Sequence, residues 1–319
     1  MTVDEAALEE IEVEVLAVDH EADGVVSLRL GAARGAPLPA WEPGAHLDLV
    51  LSDGLERQYS LCGAPAERDW RIAVLREPES RGGSAFVHTS VAAGDRLVAR
   101  GPRNHFALVE ADAYRFVAGG IGITPILPMV ARLAAEGRPW ELLYGGRRRA
   151  SMAFVAELAA LGGHVTLWPQ DEHGLLDLDA FLGTPADGTA IYCCGPEPLL
   201  QAVEERAARW PGDALHLERF APKEGALDGA ATAFEVVLEQ SGVTVAVGPD
   251  ETIADALEAA GVDIVTSCRE GTCGTCETVV VEGVPDHRDS VLSAAEQASG
   301  DVIMICCSRA QGPRLVLDL

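Results

Sequence analysis

The sequence predicts a multidomain chain: an antiparallel β-barrel, an α/β domain on a parallel sheet, and a smaller α+β domain at the C-terminal end. Three observations predict it. Short strand-like runs, separated by Gly, Pro and Asp turns, fill the first hundred residues. Strand and helix patterns then alternate from Tyr114 to Arg209, as a doubly wound parallel sheet requires. An Ala/Gly-rich stretch, APKEGALDGAAT at 221–232, precedes a final segment holding five of the eight cysteines. The expected domains are 9–108, 109–222 and 233–319, with a linker at 223–232.

The barrel rests on runs at 11–15, 24–30, 46–51, 58–62 and 70–76, each alternating or β-rich. In the second domain, 114–117, 140–144, 164–168 and 190–194 read as strands. Between and after them, 125–135, 152–161 and 197–209 read as helices. In the third, 234–239 and 243–247 read as a hairpin about Ser241-Gly242, and 253–260 as a helix capped by Asp250 or Thr252. Strands at 278–282 and near 302–306 complete it.

Composition narrows the function. The 319 residues suffice for two or three domains, and a 48% hydrophobic content can fill a core in each. Twenty-four basic against fifty acidic residues leave a net charge of −26. Nucleic acid and anionic lipid both select basic surfaces, so neither is an expected partner. The chain opens MTVDEAALEEIEVEV, without a charged-then-apolar leader. Its longest uncharged run, 116–131, is broken by Gly119, Gly120, Gly122, Pro125 and Pro128 and is too short to cross a bilayer. The expectation is a monomeric cytoplasmic protein with reduced thiols, where clustered cysteines serve metal or redox chemistry.

Cys268, Cys273 and Cys276 have the spacing C-x4-C-x2-C, and Cys306 follows thirty positions later. That is the plant-type spacing for a [2Fe–2S] cluster, whose two irons take four thiolates. Gly271 and Gly274 let the loop wrap so that backbone N–H groups face the cluster; Ser267, Thr272 and Thr275 can add hydrogen bonds. Structural zinc prefers two short C-x2–4-C hooks, and here one hook would be split by twenty-nine residues. Both Cys306 and Cys307 are candidates for the fourth ligand. The spacing favours Cys306, leaving Cys307 to pack as a small apolar residue.

With these motifs, residues 233–319 resemble a plant-type ferredoxin domain of the β-grasp kind. The Cys306-Cys307-Ser308-Arg309 segment resembles the C-V-S-R ending of the phthalate dioxygenase and vanillate demethylase reductases, with Cys307 in place of the usual apolar residue. Arg57-Gln58-Tyr59-Ser60-Leu61-Cys62 resembles the flavin motif of the ferredoxin–NADP reductase superfamily. The resemblance implies that Arg57 pairs with the flavin phosphate, Tyr59 covers the ring or ribityl chain, and Ser60 lies near N5. Ala73, Val74 and Leu75, and the Ser80-Arg81-Gly82-Gly83-Ser84 turn, fit the same subgroup, with Gly82, Gly83 and Ser84 cradling phosphate through their amides. No adenine-binding extension is seen, so FMN is expected rather than FAD.

Gly119-Gly120-Ile121-Gly122-Ile123-Thr124-Pro125 lies between a strand and a helix, where amides and a helix N-terminus can hold a pyrophosphate. It is similar to the superfamily's G-G-x-G-[IV]-T-P motif, which implies that Thr124 lies at the nicotinamide–flavin junction. Cys194-Gly195-Pro196 is similar to the C-G-P motif bordering the nicotinamide. His216-Leu217-Glu218-Arg219-Phe220 matches the closing H-x-E-x-F pattern, with Phe220 covering the flavin. Cys194 needs no nucleophilic role, since hydride transfer uses none; Cys193 is expected in the core. Arg147, Arg148 and Arg149 follow the second parallel strand. There Arg147 can meet a 2′-phosphate, as in NADPH, although the relatives mostly use NADH. His46, His88 and His105 show no metal-ligand pairing.

The resemblance covers nearly the whole chain. It implies an electron-transfer reductase: NADH or NADPH, flavin, [2Fe–2S], then a terminal oxygenase or demethylase, Rieske-type or cytochrome P450, docking near the ferredoxin domain. A self-sufficient flavin or quinone reductase and an iron–sulfur redox sensor are the alternatives. From Gly225 onward there are 16 acidic and 4 basic residues, which suggests docking on a basic partner face.

Overall fold

The computed structural model describes residues 10–34, 37–52, 54–78, 82–162, 164–229 and 232–319. Ser80 and Arg81 of the expected phosphate turn lie outside them. The chain divides into two compact units, 1–218 and 219–319.

The first unit begins with six antiparallel strands: β1 (Glu10–Ala22), β2 (Val25–Ala32), β3 (His46–Ser52), β4 (Leu55–Ser60), β5 (Trp70–Leu75) and, after helix α1 (Gly83–Ser90), β6 (Arg96–Arg103). Their order is β4-β3-β6-β1-β2-β5. The edges meet where Leu61 bridges Ile72 and the Cys62 N–H donates to the Arg71 carbonyl at 2.8 Å, so the sheet turns back on itself. Alternation fills the interior: Leu47 and Leu49 of β3 meet Val13, Leu28, Leu30 and Ile72, all fully buried. Strand β6 is absent from the sequence reading because RLVARGPR carries three arginines and a Gly-Pro pair. In the fold, Leu97 and Ala99 point inward, Arg96 is exposed and Arg100 half-buried, and Arg103 is buried against Asp48. The Gly-Gly-Ser segment is also not a plain turn. Gly82, at φ 96°, is the N-cap of α1, so Gly83 and Ser84 start a helix.

Five parallel strands follow in the same unit: β7 (Ala113–Gly119), β8 (Trp140–Gly146), β9 (Val165–Pro169), β10 (Thr189–Cys194) and β11 (Leu215–Glu218), ordered β11-β10-β7-β8-β9. Helix α2 (Ile123–Glu136) and the short α3 (Val155–Ala160) cover one face, where Phe116, Tyr144 and Tyr192 pack. After the single-turn α4 (Gln170–His173), helices α5 (Leu178–Leu182) and α6 (Glu197–Ala207) cover the other, over Val117, Leu143, Ile191 and Cys193. The helix expected at 152–161 begins only at Val155, after a 3-10 turn at Arg149–Ser151. Barrel and parallel sheet are joined by Tyr192, which donates to the Ala107 carbonyl and accepts from the Val109 N–H. Arg71 of β5 adds a bidentate pair with Glu157 of α3.

The second unit contains β12 (Phe234–Leu238), β13 (Thr244–Val247), α7 (Ile253–Ala259), β14 (Glu277–Glu282), β15 (Pro285–Asp286), α8 (Ala294–Ser299), β16 (Val302–Met304), β17 (Arg309–Ala310) and β18 (Arg314–Leu317). The main sheet runs β13-β12-β18-β14-β16. The expected hairpin is present, and β12 also pairs in parallel with β18. Thr252, not Asp250, caps α7, in a reciprocal box with Asp255. The helix buries Ile253, Ala254, Ala256 and Leu257 against Val236, Ile303 and Leu315.

Candidate functional site

The flavin-motif residues lie on β4 and β5, the two strands that close the barrel. A Cβ on Gly83 would lie 2.5 Å from Arg57 Cγ, so the arginine stem lies flat on the start of α1. No side chain caps that helix. A cation laid over an uncapped helix start suits the flavin phosphate. Ser84 turns its hydroxyl back to accept the Glu77 N–H at 3.1 Å. Ala73 and Val74 are buried, Leu75 is half-buried, and His88 Nε2 lies 2.9 Å from the Val74 carbonyl. Tyr59 stays a neutral phenol, its hydroxyl pushed up to about 12 by burial. The Ser60 hydroxyl is buried with no well-aligned hydrogen bond among the described residues. The Glu218 carboxyl approaches it.

The nicotinamide-motif residues meet where β7 and β10 end side by side. A Cβ on Gly122 would overlap the Cys194 carbonyl, and one on Gly119 would lie 2.7 Å from both Pro196 and Leu199. The Gly119–Gly122 loop and the Cys194-Gly195-Pro196 turn therefore touch backbone to backbone, which only glycine permits. Gly120 adopts φ 56° and begins the 3-10 turn leading into α2. Thr124, 2% exposed, donates its hydroxyl to the Ile121 carbonyl at 2.9 Å, so it braces the loop. Arg148 and Arg149 face Asp23 and Glu172, whereas Arg147 is exposed and makes no ion pair among the described residues.

Glu218 connects the two motifs. It ends β11 beside Cys194, whose thiol lies 3.8 Å from its Oε2. Burial pushes the carboxyl up to about 8, opposed by the polar Cys194 thiol and Ser60 hydroxyl close to it. Burial also raises the Cys194 thiol, followed by the Glu218 charge, so both groups are uncharged at neutral pH. The sequence reading places Glu218 in a matching pattern but assigns it no site role; the only local signal is an acidic residue in an otherwise apolar strand. Phe220 belongs to the second unit and is 46% exposed. His46 is buried with Asp48 and Arg103, and burial lowers it to about 3.

In the second unit the cysteine loop is wound by positive φ at Arg269, Gly271 and Gly274. The Cys268 sulfur accepts the N–H groups of Glu270 and Thr272 at 3.4 Å, and Cys273 Sγ contacts Thr275 Oγ1 at 3.1 Å. Arg269 ties the loop to Asp255 and Glu258 of α7. The thiols gather in pairs: Cys268 with Cys273, Cys276 with Cys306, and Cys306 also with Cys268. No group of three or more His, Cys, Asp or Glu among the described residues is arranged around a single ion. A [2Fe–2S] cluster takes four thiolates, two on each iron. Hydrogen bonding among these thiols raises Cys268 and Cys276 and lowers Cys306. Cys307 packs, as expected, within the apolar core of the unit. Its sulfur lies against Gly271 of the cysteine loop and 3.8 Å from the Met304 carbonyl.

Comparison with known proteins follows this geometry. The 2Fe-2S iron-sulfur cluster binding domain family matches residues 236–311, and the oxidoreductase NAD-binding domain family matches 116–205. The phenoxybenzoate dioxygenase subunit beta of Ectopseudomonas oleovorans is 45% identical over 318 residues, covering 98% of this chain and 99% of that one. The solved phthalate dioxygenase reductase, a modular structure for electron transfer from pyridine nucleotides to [2Fe–2S], is 35% identical. It superposes at a TM-score of 0.69 over 97% of this chain and 98% of that one. An intact type IV self-sufficient cytochrome P450 monooxygenase is 45% identical at a TM-score of 0.89; the match covers 97% of this chain but 41% of that longer protein. No helix among the described residues is long and apolar enough to cross a membrane. With both domain matches, near-full-length relatives and the same modular fold, the chain belongs to the phthalate dioxygenase reductase family of oxidoreductases.

Proposed function

We propose that this chain is the reductase component of an oxygenase system, with FMN as its flavin. It draws electrons from NADH or NADPH and releases them through [2Fe–2S] to a terminal oxygenase or demethylase, of Rieske or cytochrome P450 type, in the cytoplasm. The observation that carries the reading is the meeting of Ser60, Cys194 and Glu218: strand ends from two modules place flavin-motif and nicotinamide-motif side chains together.

A bound flavin supplies a hydride acceptor that can release electrons singly, and a bound [2Fe–2S] cluster supplies a one-electron carrier. The chain's residues set the stage for both. Arg57 and the start of α1 hold the phosphate, with Gly82, Gly83 and Ser84 forming its floor; Ala73, Val74 and Leu75 with Tyr59 shape the ring site. The buried Ser60 hydroxyl is left to hydrogen-bond the ring. Gly119, Gly122 and Gly195 let the two turns close backbone to backbone, Gly120 leaves open space for the nucleotide, Thr124 and Pro196 shape the turns, and the family resemblance is what assigns Phe220 to the flavin. Neutral Cys194 and Glu218 avoid placing negative charge beside a ring that receives hydride. Arg147, exposed and without an ion pair among the described residues, can meet the ribose side, which allows either nucleotide. Cys268, Cys273, Cys276 and Cys306 hold the irons. The acidic excess of the second unit suits a basic docking face.

The test is an anaerobic absorption titration of the holoprotein with NADH and with NADPH, with the released flavin identified by chromatography. Bleaching of flavin and [2Fe–2S] bands, FMN in the supernatant and turnover that requires an oxygenase support the reading. FAD, or full turnover with quinones and no dependence on any oxygenase, overturns the corresponding part.

A further inference from the structure

We propose that the segment from Pro285 to Leu292 is the positioning clamp of the cluster site. It fastens the three-cysteine loop to the turn that carries Cys306, with Asp289 and Ser308 as its positioning residues. The proposal rests on the reading of Cys268, Cys273, Cys276 and Cys306 as cluster ligands, and its test separates the two.

The four cysteines belong to two pieces of chain, the loop at 268–276 and a turn thirty positions later. One end of the loop is tied to that turn directly. Glu277 pairs with Met304, and the Ile305 N–H donates to the Cys276 carbonyl at 3.4 Å. The other end, around Gly271, is reached by the clamp. Pro285 and Asp286 of β15 pair with Ala310 and Arg309 of β17, just past the Cys306 turn. The Arg288 N–H then donates to the buried Ser308 hydroxyl at 3.0 Å. Two residues on, the chain has crossed to the loop, where the Ser290 N–H donates to the Gly271 carbonyl at 2.8 Å. A Cβ on Gly271 would lie 2.9 Å from Asp289 Cα, so backbone rests on backbone there.

Asp289 gives the clamp its bend. Its Oδ1 accepts the N–H groups of Val291 and Leu292 at 3.1 and 2.8 Å, and its Oδ2 faces His287 Nδ1 at 3.5 Å. The bend held by these contacts delivers the Ser290 N–H to Gly271. The Ser290 hydroxyl accepts the Lys223 N–H at 2.9 Å, so the start of the expected linker is fastened to the same segment. Arg288, Asp289, Ser290 and Ser308 are all buried, so water competes weakly for these bonds. A cluster holds its ligands more tightly when outer hydrogen bonds fix where those ligands lie. Clamp and cluster join the same two pieces of chain, so each stabilises the other by the same factor.

The experiment follows iron loss from oxidised holoprotein to a chelator, and the EPR g values of the reduced cluster, in Ser308→Ala and Asp289→Ala. Flavin reduction by NAD(P)H on the same samples is the control and should not change. Ser308→Ala removes one acceptor, and iron should leave about fivefold faster, the size of one net hydrogen bond. Asp289→Ala removes two such bonds, and iron should leave about 20-fold faster. Both should shift or broaden the g values, because the ligands are held less firmly. Ser308→Thr and Asp289→Asn keep the acceptors and should restore both readouts. A residue that only stabilises the fold lowers the unfolding midpoint but leaves the loaded cluster's g values and iron release at wild type; that result overturns the clamp. Failure of both conservative variants to restore the readouts overturns it too. Should the alanine variants fold poorly, hydrogen–deuterium exchange of the wild-type protein decides. The Arg288 and Ser290 amides should exchange at least about tenfold faster once the cluster is removed, and equal protection with and without it overturns the clamp. A wild-type chain that takes up no iron faults the ligand reading and the clamp with it, whereas normal iron with unchanged variants faults the clamp alone.

Discussion

The two units build their sites by opposite routes. In the second, three cysteines lie within nine consecutive residues and a fourth arrives on the turn after β16. In the first, Ser60, Cys194 and Glu218 are scattered over 159 positions and meet only because strand ends are brought together. A site wound from one loop depends on local backbone geometry. A site assembled from strand ends depends on sheet order, barrel closure and the packing of one module on the other. The two should therefore fail differently.

The largest expected effect separates them outright. Cys306→Ser should abolish or markedly alter the cluster, read as iron content and EPR signal, while NAD(P)H still reduces the flavin at its normal rate. Loss of flavin reduction as well would mean that the units are not independent. Arg57→Ala tests the other unit. Losing one charge-assisted phosphate contact should weaken flavin retention about 10–100-fold, with iron content unchanged. Dialysis followed by flavin and iron assays gives both numbers.

A smaller effect comes from Glu218. Burial raises its carboxyl to about 8, so it is protonated and neutral at pH 7. As pH rises through that value it ionises beside the flavin site, and hydride transfer should slow by about tenfold, the size of a ~1.4 kcal/mol like-charge penalty. Glu218→Gln should flatten that limb, and stopped-flow flavin reduction across pH 6–9.5 tests it. The same raised value has a stability consequence in the cofactor-free protein. The folded state binds a proton the unfolded chain has already released, so stability falls as pH rises between the ordinary carboxylate range and about 8. The smallest effect concerns delivery. Electron transfer to a partner should slow severalfold as salt rises from 50 to 300 mM if the acidic second unit steers docking, whereas flavin reduction should not change. Equal salt responses of both steps would remove the steering role.

Helix α1 shows how local reading can miss structure. The residues from Gly82 to Ser84 suggest a phosphate-binding turn, and their glycines argue against a helix. Yet the helix forms, because Val87 is buried against the barrel core and tertiary packing outweighs propensity. Strand β6 is hidden for the converse reason: its arginines mask an alternation that matters only once β1 and β3 lie on either side of it.

The sequence by itself determined whatever is encoded over a few neighbouring residues. That includes the C-x4-C-x2-C loop, the strand–glycine–helix unit at 114–136, the alternating strands and the order of the modules. Each follows from backbone geometry and side-chain period at short range. Only the tertiary structure decided which distant groups share an environment. It brought Glu218 to Cys194 and Ser60 and raised its pKa, laid Arg57 on Gly83, and turned Cys307 toward the cysteine loop. Desolvation and hydrogen bonding depend on neighbours in space, and those neighbours are set by sheet order and turns.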